Sequence, residues 1–244
     1  MTGGSSGSGV GIARRFAEEG ADVVLMARAK ERLERVAGEI GPAALPVVVD
    51  VSDPQSVEGA FDEVGERFGR LDILINNAAL YRPCAVEKLT GVDIDAQIGT
   101  NLKGPIHTCR AAIPLLRAAG GGDIINTSSE TTLHPFPMLS MYVATKAALE
   151  AFTKVLAMEV ASDGIRVTNL IQGTARAASI GSTDWAWDPD HAAEAHALWE
   201  KMGLLNFALG QLEGQEVDAI GDVHLFIATR PRTQKLDTVH CRSF

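Results

Sequence analysis

Residues 2–28 read TGGSSGSGVGIARRFAEEGADVVLMAR. Gly3, Gly7 and Gly9 let the backbone turn tightly and let a ligand approach it closely. Residues 10–19 then carry the periodicity of an amphipathic helix, and Gly20 stops it. Residues 23–26 (VVLM) form an apolar run of strand length. A glycine turn feeding a helix N-terminus offers free N–H groups and a favourable dipole to an anion such as a pyrophosphate. Taken alone, a Gly/Ser-rich opening is also what a tag or linker looks like. Its meaning depends on the rest of the chain.

Beyond residue 28 the same alternation repeats. Short apolar runs recur at 46–49 (PVVV), 73–75 (ILI), 124–125 (II) and 167–171 (VTNLI). Near-continuous runs of this length suit strands buried on both faces of a parallel sheet. Between them Val57, Phe61, Val64 and Phe68 repeat at helical spacing. So do Ile94, Ile98, Leu102, Ile106, Cys109, Ile113 and Leu116, and later Ala148, Phe152, Val155 and Leu156. The pattern predicts an α/β fold, a doubly wound parallel sheet with helices on both faces and right-handed crossovers. No internal repeat or linker divides the chain, so residues 1–244 are expected to form one domain. Residues 174–215 break the rhythm and are expected to be a lid inserted into it.

Bulk properties exclude several function classes. The formal net charge of −9 argues against nonspecific binding to nucleic acid or anionic membranes. No apolar stretch reaches the ~18 residues of a membrane span, and the opening residues lack a signal peptide's basic and apolar regions. Cys84, Cys109 and Cys241 are far apart, with no spacing that suggests a metal site. Three free thiols in a reducing compartment, by default the cytoplasm, is the expectation.

Ligands of open α/β sheets bind at the carboxyl ends of the strands. There, Arg28 closes the run at 23–26 with no acid at 27 or 28. A carboxylate in that place would suit the ribose hydroxyls of NAD, whereas an arginine suits the 2′-phosphate of NADP. Asp50-Val51 closes the next run, and Asn76-Asn77-Ala78-Ala79 the one after it. Tyr142 and Lys146, one helical turn apart, share a face, and Ser129 comes after the run at 124–125. Tyr142 as a core tyrosine and Ser129 as a turn cap are the structural alternatives.

These pieces, in this order, resemble the short-chain dehydrogenase/reductase family along nearly all the chain. The matching segments are TGGSSGSG, DVS at 50–52, NNAA at 76–79, Asn101 within TNLKG, Ser129 within NTSSE and YVATK at 142–146. The resemblance implies a Rossmann-type fold and hydride transfer between a nicotinamide dinucleotide, NADP rather than NAD, and a secondary alcohol or ketone. It implies that Tyr142 moves the proton, Lys146 favours the phenolate and holds the nicotinamide ribose, Ser129 holds the substrate oxygen, and Asn101 anchors a relay water. It implies a cofactor on Gly3, Gly4, Ser5, Ser6, Ser8, Arg28, Asp50, Val51, Asn77, Tyr142, Lys146 and Thr174. It also implies pairing of subunits into a homodimer or homotetramer. The ending, residues 222–244, loosely resembles the serine and 3-hydroxy-acid dehydrogenase branch.

Three features depart from the family pattern. Only Met1 precedes Thr2, where the family has an apolar central strand, so the first strand is expected to be truncated and the functional protein longer. Ser8 stands where the family has an apolar residue. Gln172-Gly173 stands where it has Pro-Gly, which gives up proline's fixed φ just before the expected contact of Thr174 with the nicotinamide. Two rival readings remain: a dinucleotide-binding member without turnover, and a methyltransferase with a similar glycine turn. YVATK and the missing acid oppose the latter. The lid's Trp185, Trp187, His191, His196, Trp199 and Phe207 suit either an apolar substrate or packing of the lid onto the domain. His134 suits a solvent-exposed loop better than a substrate contact. One variant tests the cofactor reading: Arg28→Asp is expected to weaken NADPH relative to NADH in a fluorescence titration. An unchanged preference would show that Arg28 does not read the 2′-phosphate.

Overall fold

The computed structural model describes residues 1–174, 188–204 and 215–242. Helices and strands alternate as the apolar runs require. The order is α1 (Ser8–Glu18), β1 (Val23–Ala27), α2 (Lys30–Ile40), β2 (Ala44–Val48), α3 (Pro54–Phe68), β3 (Ile73–Asn76), α4 (Gly91–Ile98) and α5 (Gly104–Ala118). Then come β4 (Gly122–Ser129), α6 (Ser140–Glu159), β5 (Ile165–Gln172), α7 (Pro189–Lys201), α8 (Val217–Ala228) and β6 (Thr238–Cys241). The helical periodicity that ends at Leu116 has a seam. A π-helical turn, Gly99–Lys103, joins α4 to α5, and such turns gather at functional sites. No helix among the described residues is long and apolar enough to cross a membrane.

Every pairing between named strands is parallel: β1 with β2, and β3-β4-β5-β6 in that order. Residues 1–3 lie between the two sheets. Thr2 N–H donates to the Ile75 carbonyl at 2.9 Å, and Gly3 N–H donates to the Met26 carbonyl at 2.8 Å. Met26 N–H donates to the Met1 carbonyl at 2.9 Å. Three residues therefore pair the carboxyl ends of β1 and β3, where ligands of such sheets bind.

Alternate side chains of each central strand go to opposite faces, as strand geometry demands. Val24 and Met26 join one core with Leu74, Ile124, Val167 and residues of α3 and α5. Val23 and Leu25 join the other with Ile75, Ile125, Leu170 and residues of α1, α2 and α8. α1 and α8 cross at near backbone contact: a Cβ on Gly11 would lie 2.1 Å from the Val217 carbonyl oxygen, and one on Gly221 2.7 Å from that of Gly11. At the amino end of the sheet Arg166 holds Asp123 with two hydrogen bonds, at 2.7 and 2.9 Å. Its remaining donors take carbonyls of Ala228, Arg230, Pro231 and Gln234, which ties the segment before β6 to β5.

His224 of α8 is fully buried against the sheet. Its Nδ1 lies 2.9 Å from the Ile220 carbonyl and so carries the proton, leaving Nε2 to face the Thr127 hydroxyl at 3.5 Å as acceptor. Burial lowers its pKa to about 4. A depressed folded-state pKa means that the stability held by the neutral ring is complete above the unfolded value of 6.5 and is lost as pH falls towards 4. Denaturant unfolding should lose roughly 1.4 kcal/mol per pH unit across that window, and His224→Leu should remove that component of the slope.

Candidate active site

The cofactor end begins with the glycine turn. Gly3 and Gly7 have φ of 71° and 55°, values L side chains avoid. A Cβ on Gly9 would fall 2.0 Å from the Gly3 carbonyl oxygen. Gly7 caps α1 without a side-chain hydrogen bond, and the first turn holds no acid. The free N–H groups and the helix dipole thus face a cradle that a single methyl group would fill, and this fits a pyrophosphate. Thr2 fastens the cradle to β3, its Oγ1 accepting from Asn77 and Ala78 N–H, both at 3.1 Å. Gly4 and Ser5 are buried and Ser6 is half-buried. Ser8 opens α1, and its Oγ accepts from Gln172 Nε2 at 3.2 Å.

The rim of the cradle carries the other expected contacts. Arg28 is exposed at the end of β1, beside the N-terminus of α2, which likewise has no side-chain cap. Asp50 closes its own turn, accepting from Ser52 N and Oγ at 2.9 and 2.6 Å. Val51 is buried against the π-helical seam, where a Cβ on Gly104 would meet its Cγ2 at 2.8 Å. Thr174 is half-buried, and its carbonyl accepts from Gln215 N–H at 3.0 Å.

Of the residues expected to be catalytic, Ser129, Tyr142 and Lys146 are carried by β4 and the first turns of α6. Ser129 is the last residue of β4; its Oγ accepts from Thr131 N–H at 3.3 Å, so it does cap a turn. The same hydroxyl lies near Tyr142, which brings the two residues together. Burial raises the Tyr142 pKa, and the nearby Ser129 hydroxyl works against that rise. Lys146 is buried below Tyr142, its Nζ 5.8 Å from the ring centroid and donating to the Thr127 carbonyl at 2.6 Å. Burial lowers its pKa to about 8, with Glu150 opposing. Asn101 lies in the π-helical seam, fully buried. Its Oδ1 accepts from Leu80 N–H at 2.6 Å, and its Nδ2 donates to the Leu80 carbonyl at 2.8 Å and to Thr145 Oγ1 at 3.1 Å. Both amide hydrogens are used, so a relay water on this residue would have to donate to one of its oxygens.

Several neighbours escaped sequence reasoning. The Tyr81 ring meets the Tyr142 ring edge-on at 5.0 Å, and burial raises its pKa. Glu150 Oε1 accepts from Ser128 Oγ at 2.5 Å and Thr132 Oγ1 at 2.7 Å; its i,i+4 spacing from Lys146 was the available signal. Asn76, Asn126 and Asn169 stand in register across β3, β4 and β5. Asn76 Nδ2 donates to Asn126 Oδ1 at 2.9 Å, and Thr108 Oγ1 donates to Asn76 Oδ1 at 2.6 Å. Met138 has a φ of 67°, a conformation that costs on the order of 1–3 kcal/mol, and Cys84 N–H holds its carbonyl at 2.8 Å.

Of the aromatic residues in 174–215, Trp199 packs onto the loop before α6. Its Nε1 donates to the Pro137 carbonyl at 2.9 Å, and Phe136 meets its ring edge-on at 5.6 Å. His196 stacks on Trp199 at a tilt, His191 sits in the first turn of α7, and His134 is exposed. Trp185, Trp187 and Phe207 lie outside the described residues. An apolar cleft of 590 Å³, lined by Val86, Phe136, Pro137, Met138, Val143 and Ala144, opens on the next face of α6.

Asn101→Leu, close in shape, would leave the buried N–H and carbonyl of Leu80 without their partners. At about 1–3 kcal/mol for each orphaned group, it is expected to lower unfolding free energy by roughly 2–5 kcal/mol in urea titration. A loss of activity at unchanged stability would instead assign Asn101 to the chemistry alone.

Comparison with known proteins agrees with this fold. The family model described as short chain dehydrogenase matches residues 1–185. An oxidoreductase of Botryotinia fuckeliana is 38% identical over 187 residues, 76% of this chain and 66% of that protein. An alcohol dehydrogenase of Thermococcus sibiricus, solved with 5-hydroxy-NADP, is 27% identical and superposes with a TM-score of 0.80, covering 100% of this chain and 94% of that one. A 3-ketoacyl-(acyl-carrier-protein) reductase of Brucella melitensis, solved with NADH, is 29% identical with a TM-score of 0.81, covering 99% and 94%. With three-quarters of its length matched and its glycine cradle, serine, tyrosine and lysine gathered at one edge of the sheet, the chain belongs to the short-chain dehydrogenase family.

Proposed function

We propose that this chain is an NADP-dependent oxidoreductase that interconverts a secondary alcohol and a ketone, with residues 174–215 as the lid over its substrate. The observation that carries the reading is the Ser129–Tyr142–Lys146 cluster beside an uncapped, glycine-lined helix N-terminus. Arg28, exposed at the end of β1 with no neighbouring acid, supports the 2′-phosphate of NADP over the free hydroxyl of NAD. The apolar cleft beside α6 suits a substrate with an apolar body. Val155 and Met158, exposed by 55% and 78% on α6, support burial of that helix against a second copy in a homodimer or homotetramer.

When bound, the dinucleotide supplies or accepts the hydride at the substrate carbon. The rest is the work of the chain. Ser129 Oγ holds the carbonyl oxygen next to Tyr142. A buried phenol keeps its proton in the resting chain, which suits an acid that gives the proton to the developing alkoxide during reduction. In the reverse direction the phenolate takes the alcohol proton. The Lys146 ammonium lies one turn below and stabilises the phenolate. With its pKa lowered to about 8, the lysine can pass a proton onward near neutral pH.

Tyr142→Phe is expected to reduce turnover by at least a thousandfold, within the range for a lost general acid, while leaving NADPH affinity within about threefold, because little contact area is lost. Activity retained within tenfold would overturn the assignment of the acid. The Lys146 charge should also show in binding. NADPH affinity is expected to fall as pH rises through 8, where the ammonium is lost, and Lys146→Met should abolish that inflection.

A further inference from the structure

The two side chains that depart from the family pattern, Ser8 and Gln172, touch each other. Gln172 Nε2 donates to Ser8 Oγ at 3.2 Å. That bond joins the first residue of α1 to the last residue of β5. The other polar atom of the amide, Gln172 Oε1, is buried and has no hydrogen-bond partner among the described residues. A buried acceptor left without a donor forfeits its bonds to water with nothing in return, so its retention calls for an occupant that carries an N–H or O–H group.

Register shows where that occupant sits. Gln172 of β5 pairs with Ser129 of β4. Neighbouring strands are about 4.8 Å apart, and paired residues send their side chains to the same face. That face is the one covered by α1 and α8, because Ile125 and Leu170, an even number of residues back along β4 and β5, both pack there. Gln172 thus lies beside Ser129, the serine near Tyr142, and is tied to the residue that opens the glycine-lined helix. A dinucleotide with its pyrophosphate on α1 and its ring at the substrate oxygen must pass this side chain.

We propose that Gln172 reads the nicotinamide end of the cofactor: Oε1 accepts a hydrogen bond from the carboxamide NH2, and Ser8 holds the amide in the orientation that exposes this oxygen. The assignment rests on the dinucleotide reading above and adds a positioning residue to it. Fixing the carboxamide fixes the rotation of the ring, and with it the face turned towards Ser129 and Tyr142. The loss of a Pro-Gly turn and the appearance of a serine in the glycine loop are then two halves of one contact.

The test needs no substrate. The purified chain and Gln172→Leu are titrated with NADP+, with its 3-acetylpyridine analogue, in which a methyl group replaces the NH2, and with 2′,5′-ADP, which lacks the nicotinamide half. The unsubstituted chain is expected to bind NADP+ about fivefold to tenfold more tightly than the analogue, the size of one buried hydrogen bond. Gln172→Leu should lose that preference and bind 2′,5′-ADP as before. Gln172→Glu, which keeps an acceptor, should retain the preference, and it serves as the folded control should the leucine variant unfold. The same preference in the unsubstituted chain and Gln172→Leu would overturn the assignment alone. Weaker 2′,5′-ADP binding by a folded Gln172→Leu would overturn it in favour of a purely structural role. Failure of the unsubstituted chain to bind any of the three ligands would overturn the dinucleotide reading and this assignment with it.

Discussion

The parallel register of β4 and β5 is the constraint on which the rest of the site depends. The two strands pair residue for residue from Gly122 with Ile165 to Ser129 with Gln172. Each parallel bond is modest by itself, but a slip of one residue would turn every side chain to the opposite face. Such a slip would drive Ile124 and Ile125, which feed the two separate cores, each into the core shaped for the other. Core packing on both faces therefore locks the register, and the register delivers Ser129 and Gln172 to the same edge. α6 packs across both strands and brings Tyr142 and Lys146 to that edge.

Buried polar groups add the precision that apolar packing lacks. Lys146 and Asn101 are both buried, and removing such groups from water costs several kcal/mol unless they are paired. Lys146 finds the Thr127 carbonyl, and Asn101 closes a reciprocal pair with the backbone of Leu80. Each bond joins an element of the site to a different part of the chain: α6 to β4, and the π-helical seam to the loop after β3. A side chain that must satisfy such bonds has one place to sit, which is how a site keeps its geometry without a bound ligand.

Much of this was legible in the sequence. The strands at 23–26 and 73–75 showed as apolar runs because both of their faces are buried, and the two faces of β1 confirm it. Tyr142 and Lys146 were legible because helical spacing alone puts them on one face. Less visible were the π-helical turn at Asn101, since its apolar spacing reads as one uninterrupted helix, and the polar row of Asn76, Asn126 and Asn169. Residues so far apart along the chain carry no mark of shared neighbours. For the same reason Arg166 gave no hint that it would gather the segment before β6.

The sequence by itself determined the class of the fold, the glycine turn that opens α1, and the residue types available for proton transfer. These come from periodicity and local spacing, properties that neighbouring residues already possess along the chain. Only the tertiary structure decided that residues 1–3 join the two parts of the sheet, that Trp199 packs onto the loop before α6, and that Ser8 meets Gln172. Those outcomes rest on hydrogen bonds between residues remote in sequence, whose partners exist only once strand register and helix packing have brought them within about 3 Å of each other.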